Sequence, residues 1–530
     1  MNPLHRKLIR ELRASGGVIF SVILITAIGT ACFVAMRSAH RSLSQARDHY
    51  YAKGRMADFW VSVKRMPKSE LRRLSNIPGV AEVHPRIRSP VTVDLPTSEK
   101  PLAGVVLSLP DRGLPALNQI QILRGEYFTS RRRNEVIVND VFANAHRLRL
   151  GQSIFVNIAG RRQELVLVGT AFSCEFIYPL GRAAIVPDRT GFGVFFLKES
   201  FAEEITDMKG ATNEVLGRVF PRYANSKRAL LHEIERRLDE FGVLATTPLE
   251  DYPSNAFLSQ EIEGLATFAL LIPLIFLGIS AVILNVVMTR RVEQQRIAIG
   301  TLKALGYGDA VIGWHIMEFA LLAGVIGAAI GCGVGQWLSA GMTSIYRQFY
   351  EFPRLDAPIY WDIHLEAILV GLICAAIGGW RGARTALALP PAAAMRPRVP
   401  ASGRHILLER FGWLWRHVHP AWRMALRYMF RHPIRTATSL LACLLGASVM
   451  ALIFCMIVGV NHLMDFHFRW LYRSDVTLFL KSERGSDALM EVAHLPGVRK
   501  VEPLLGMPVT LRHKGKEKLI SVTGIQGRPH

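Results

Sequence analysis

The sequence predicts an α-helical integral membrane protein with an α/β (α+β) extracytoplasmic domain, arranged as two tandem units of which the second is truncated. Three observations lead there: five apolar runs long enough to cross a bilayer, alternating basic and balanced stretches between them, and short motifs repeated at one fixed offset. The chain has 530 residues, 50% of them hydrophobic and 20% charged, with a mean hydropathy of +0.22. Such a composition suits a membrane protein with sizeable soluble parts.

The apolar runs are placed at 17–37, 263–289, 311–340, 362–380 and 437–461. Each approaches the ~20 residues a helix needs to cross the hydrocarbon layer. Arg6, Lys7, Arg10 and Arg13 precede the first run, but no small-residue cleavage site follows it. It therefore reads as an uncleaved anchor. Glycines in GVIGAAIGCGV, 324–334, lie inside the third run and are assigned to close helix packing. His315 and Glu318 sit near its start, and Glu318 reads as an interfacial or packing residue, since no series of buried charges resembles an ion path.

Orientation follows from charge. The N-terminal amphipathic segment 1–16, the loop 290–310 and the linker 381–436 together hold 19 basic and 4 acidic residues, or +15 of the formal +22. The short loop 341–361 is balanced, with Arg347 and Arg354 against Glu351 and Asp356. By the positive-inside rule the three basic stretches are cytoplasmic, which leaves 38–262 and 462–530 outside the cell (inner) membrane. Nucleic-acid binding is excluded, because the charge is divided among membrane-flanking loops and forms no aromatic-studded surface.

Strand and helix patterns alternate through 38–262, as expected of an α/β domain with a helical stalk formed by 38–57 and 226–262. Asn134–Gly151 reads as a strand followed by a helix capped at Gly151. Ser153–Ile158, Ala159-Gly160 and Gln163–Val168 read as a hairpin. Ser226–Phe241 has apolar residues at 230, 231, 234 and 238, an amphipathic helix. His146, His232, Glu233 and Glu235 do not make a zinc-protease helix, because Arg236 stands where its second histidine belongs. No G-x-S-x-G and no phosphate-binding G-x-x-x-x-G-K-[ST] occurs, and the six cysteines form no CxxC pair. No catalytic, cofactor-binding or metal-ligating residue is assigned.

Ile77-Pro78-Gly79-Val80 returns as Leu495-Pro496-Gly497-Val498, and Pro90-Val91-Thr92-Val93 as Pro508-Val509-Thr510-Leu511, both 418 residues later. An internal repeat of this size indicates a duplicated half. The second copy enters its external domain and supplies no further spans, so the chain is expected to be C-terminally incomplete.

One stretch carries the functional reading: RRVEQQRIAIGTLKALGY, 290–307. Arg290 and Arg291 are placed as the positive-inside membrane anchor of the second span. Arg296, Gly300, Lys303 and Tyr307 share one helical face, and Ala298, Leu302 and Leu305 lie on another with Ile299 beside them. Gly306 terminates the helix. Periodicity leaves open whether this helix lies on lipid or docks into a partner protein.

The arrangement of a span, a large external domain, three further spans and a basic linker resembles the FtsX/MacB/LolC-type ABC transporter permeases. Its clearest carriers are the stretch 290–307 and RGARTALALPPAAAMRP at 381–397, with Pro391-Ala-Ala-Ala-Met-Arg396 matching a family motif. The resemblance implies a coupling helix whose Arg296, Ile299, Leu302, Lys303, Leu305 and Gly306 engage a cytoplasmic ABC ATPase. ATP is then bound and hydrolysed by that partner, not by this chain. It further implies export, extraction or mechanical handling of a hydrophobic or envelope substrate, a second permease copy or related permease, and a possible periplasmic partner. The alternative is a non-transporting scaffold that relays ATPase state to a cell-wall enzyme or sensor.

Overall fold

The computed structural model describes residues 10, 16–95, 102–179, 189–388, 390–394, 419–431, 433–471, 474–476, 478, 480, 484–485, 487–513 and 516–525. The amphipathic segment expected over 1–16 and the linker 395–418 lie almost wholly outside the described residues. Contacts divide the chain into two units. One comprises Met1–Ser44, Glu261–Tyr346 and Leu355–Arg473; the other comprises Gln45–Gln260, Arg347–Arg354 and Ser474–His530.

Among the described residues, five helices are long and apolar enough to cross a membrane. They run over Gly16–Lys53, Pro253–Gln294, Asp309–Phe349, Trp361–Leu387 and Pro433–Asp465, and each contains one of the apolar runs. The first two overrun those runs because the polar residues flanking the apolar core continue the helix without a breaker. The stalk expected over 226–262 is not one helix. Lys227–Leu238 ends near Gly242, whose φ of +69° is left-handed, and Val243–Pro248 then forms an edge strand. The threonines and the terminal proline of VLATTP suit an edge strand better than a helix.

In the membrane, lipid tails are as apolar as leucine, so helices associate through close packing. Gly327, Gly331 and Gly335 of the third spanning helix provide it. A Cβ on them would meet the carbonyl oxygens of Ile23, Ala27 and Ala31 in the first helix at 2.9, 2.6 and 2.8 Å. A Cβ on Gly378 in the fourth helix would likewise lie 2.8 Å from Ala281 O in the second. A buried hydrogen bond of 2.6 Å joins the Thr26 and Ser280 hydroxyls of the first and second helices.

The α/β unit has two sheets. The smaller contains β1 (Phe59–Pro67), β2 (Val80–Arg86), β10 (Ala211–Val219) and β11 (Val243–Pro248), in the order β11-β1-β10-β2 and antiparallel throughout. Helices Leu71–Ser75 and Lys227–Leu238 cover one face with Leu74, Leu230, Leu231, Ile234 and Leu238. This is a β-α-β-β-α-β split sheet. The second sheet is inserted between β2 and β10.

The inserted sheet uses β3 (Arg88–Asp94), β4 (Leu102–Leu109), β5 (Ile120–Gly125), β6 (Glu135–Asn139), β7 (Ser153–Ile158), β8 (Arg161–Ser173) and β9 (Phe192–Lys198). Its order is β5-β8-β6-β9-β4-β3-β7, and the added β7–β8 pairing closes it into a barrel. The β7–β8 turn is Ala159-Gly160 with φ of +49° and +83°, the left-handed pair that a two-residue hairpin needs. The helix after β6 covers only Asp140–Ala145, so it stops short of the Gly151 cap expected from sequence. Arg147 turns left-handed first, with φ of +54°.

A buried ionic cluster joins the two sheets. Arg86 on β2 donates from Nε to Glu214 Oε2 at 2.7 Å, and from Nη1 and Nη2 to the Glu175 oxygens at 2.6 and 2.7 Å. Tyr252 Oη and Asn118 Nδ2 complete Glu175 at 2.8 and 2.9 Å. Burial works against the Glu175 carboxylate, but the Arg86 charge and these hydrogen bonds outweigh it and hold its pKa below the usual range. The cluster therefore stabilises the fold above ordinary carboxylate pKa values and loses that contribution as pH falls through the lower folded value.

The repeat recurs as geometry. Gly79 and Gly497 are both left-handed, at +106° and +92°. The matching bonds Val80 N–H to Ile77 O and Val498 N–H to Leu495 O measure 3.1 and 3.2 Å. A helix, Asp487–Ala493, precedes the second turn, and the antiparallel pair β12 (Leu504–His513) and β13 (Lys516–Ile525) follows it.

Two substitutions test these contacts. Gly331→Val is expected to destabilise the helix packing by about 1–3 kcal/mol, read as a lower unfolding midpoint of the purified chain in detergent. An unchanged midpoint would mean that the first and third helices do not approach this closely. Arg86→Met removes the cation that bonds both buried carboxylates, leaving only Arg88 at 3.2 Å from Glu214, and is expected to cost about 3–5 kcal/mol in denaturant unfolding.

Candidate functional site

The second spanning helix ends at Gln294, and a separate short helix, Arg296–Ala304, follows before the third begins at Asp309. Its end is fixed by backbone geometry. Gly306 has a φ of +90°, Gly306 N–H donates to Lys303 O at 3.1 Å, and Tyr307 N–H donates to Leu302 O at 3.1 Å. These two bonds with a left-handed glycine make a Schellman cap.

Three anchors hold the inner face. Ile299 is 3% exposed and packs in one core with Val292, Ile312, Ile316, Ala383 and Ala386, with Leu302 against it. Lys303 Nζ donates to Leu387 O at 2.9 Å, at the end of the fourth spanning helix, and pairs with Asp309 at 2.8 Å. A cation at a helix C-terminus meets the negative end of the helix dipole. The turn Pro391–Ala394, part of the motif noted in the sequence, packs against the short helix.

Burial divides the residues that periodicity groups on this helix. Ile299 and Gly300 are buried, and Arg296, Leu302 and Lys303 are half-buried, so these residues brace the helix from behind. The outward face comprises Ile297, Ala298, Thr301 and Leu305, with Ile297 66% and Leu305 71% exposed. Ile297 was missed; its spacing of eight from Leu305, with Thr301 midway, was the available signal. Of the two expected anchors, Arg290 is exposed, whereas Arg291 is half-buried and places its guanidinium 3.6 Å from the Phe319 ring centroid. That cation–π contact ties the second helix to the third.

The result is a helix end held from behind, with two bulky aliphatic side chains presented outward.

Comparison with known proteins adds the family. Residues 19–218 match the model of the MacB-like periplasmic core domain, and residues 270–391 that of the FtsX-like permease C-terminal region. An uncharacterized ABC transporter permease protein of Mycobacterium tuberculosis is 25% identical over 299 residues, covering 54% of this chain. The chain spans 31% of that relative's length. Solved structures with a similar region include the extracellular domain of the noncanonic ABC-type transporter YknZ from Gram-positive bacteria, at 13% identity and a TM-score of 0.24, covering 35% of this chain and 92% of that one. Another is the periplasmic region of MacB from Actinobacillus actinomycetemcomitans, at 10% identity and a TM-score of 0.24, covering 39% and 92%. The assignment rests on the family matches, which run from the first spanning helix into the α/β unit and from the second spanning helix through the short helix to Pro391. The chain therefore carries a match to the MacB-like periplasmic core domain followed by a match to the FtsX-like permease C-terminal region, the domain pair expected of an FtsX/MacB-type permease.

Proposed function

We propose that this chain is the membrane subunit of an ABC transporter in which a separate cytoplasmic ATPase docks on the helix Arg296–Ala304 and drives movement of the α/β unit. The observation that carries this reading is the split in that helix: Ile299 and Lys303 are locked into the bundle while Ile297 and Leu305 stand out. A helix resting passively on lipid has no need of a fixed inner face, whereas a force-bearing contact requires one. The N-terminus and the loop 290–310 are then cytoplasmic, and the α/β unit extracytoplasmic, as the distribution of basic residues favours. The substrate class is hydrophobic or envelope material handled outside the bilayer core. Support comes from the family and from spanning helices with few ionisable residues in their apolar stretches.

The test is Ile297→Asp and Leu305→Asp, with Ala298→Ser as a surface control. Each aspartate would place a charge in a desolvated contact and is expected to reduce ATPase co-purification at least about tenfold, while the unfolding midpoint stays near wild type. Wild-type recovery of the ATPase with both aspartate variants would remove the docking role. Stimulation of the assembled ATPase in nanodiscs by lipid, lipoprotein or peptide would identify transport; response to a protein partner alone would identify a relay.

A further inference from the structure

Residues 347–354, the end of the third spanning helix and the segment that follows it, pack as part of the α/β unit. The seat is specific. Glu351 N–H donates to Ile177 O at 2.7 Å, and Arg189 Nη1 donates to Arg347 O at 3.0 Å and to Gln348 O. The Tyr350 ring lies 5.4 Å from Tyr178 and 6.4 Å from Phe352, and Phe352 lies 6.1 Å from Tyr50. Within this contact the Glu351 side chain is 3% exposed, and its Oε1 is 3.7 Å from Arg189 Nε, beyond hydrogen-bond reach. Glu175 of the same unit shows the contrast: it is equally buried but held by Arg86, Tyr252 and Asn118.

We propose that the strap 347–354 is a proton-operated latch, seated on the α/β unit while Glu351 is protonated and released when Glu351 ionises.

The reason is desolvation with incomplete pairing. Burial pushes the Glu351 carboxyl up to about 8, Arg189 and the Asn139 side chain oppose this only in part, and Asp140 adds to it. Arg189 also serves the carbonyls at the end of the third spanning helix, so its charge is shared. Among the described residues, the other groups facing Glu351 do not replace it. Asp140 is bound by Arg124 at 3.0 Å, and Tyr50 offers a buried phenol, not a cation. On the strap itself, Arg347 takes part through its carbonyl.

A carboxyl with a higher pKa when seated takes up a proton on seating. Seating is therefore strongest below the ordinary value of 4.5, and the linked advantage is lost as pH rises towards about 8. Across that window the seating equilibrium falls about tenfold per pH unit. Acidity on the side facing the α/β unit would tighten the strap, whichever ATPase drives the chain.

The Glu351 amide is a built-in reporter, because its bond to Ile177 exists only when the strap is seated. Hydrogen exchange of the full chain in nanodiscs, expressed as protection factors so that base catalysis of exchange cancels, reads it directly. Wild-type protection at Glu351 is expected to fall about tenfold per pH unit between roughly pH 5.5 and 7.5. In Glu351→Gln it is expected to stay high and flat. Flat protection in the wild type, or the wild-type slope in the glutamine variant, overturns the latch. Protection of the β1–β10 pairs in each sample reports whether the unit is folded. Should Glu351→Gln not fold, Arg189→Gln decides: loss of the cation is expected to move the slope to higher pH, and an unmoved slope overturns the proposal.

Discussion

The α/β unit depends on the pairing of one buried guanidinium. Arg86, Glu175 and Glu214 are each almost fully removed from water. Charges so placed are tolerated only when their partners arrive in correct geometry. Five positions remote in sequence, Arg86, Asn118, Glu175, Glu214 and Tyr252, must therefore meet at one point before the unit is complete. Because the cluster bridges the split sheet and the inserted barrel, it discriminates against arrangements in which either sheet folds without the other. Trp60 stacked on Tyr252, with centroids 4.3 Å apart, extends that demand to the central strand β1.

A different constraint governs the bundle. Without water to expel between helices, affinity comes from surface match, and glycine allows the closest match. Carbonyl oxygens of the first helix lie where side chains of the third would otherwise stand. The short helix Arg296–Ala304 inherits its rigidity from this bundle, since its buried residues pack into the same core.

Much of this was legible in the sequence because it depends on local pattern. Apolar length anticipated five long apolar helices, glycine spacing predicted close packing, and the Ile77–Val80 motif identified a turn whose copy at Leu495–Val498 has the same backbone form. Gly306 as helix terminator followed from residue type. What escaped the sequence was which side of the short helix faces the bundle. Its amphipathic pattern is ambiguous when both faces carry aliphatics, and only the packing of Ile299 resolves it. The partners of Arg86 and the burial of Glu351 escaped too, since charged residues read as solvated until the topology brings distant segments together.

The Schellman cap at Gly306 has a consequence for how the outward face of the short helix can vary. Each residue advances an α-helix by about 100°, so the cap and the Lys303 tether together fix the angular phase of Leu305 relative to the bundle. Substitutions at Ile297, Ala298, Thr301 and Leu305 can change shape and size freely within that phase. Insertions and deletions between the tether and the second spanning helix cannot, because one residue would rotate the outward face by more than a quarter turn. The helix thus behaves as a keyed shaft: its surface is free to diversify, while its length is not.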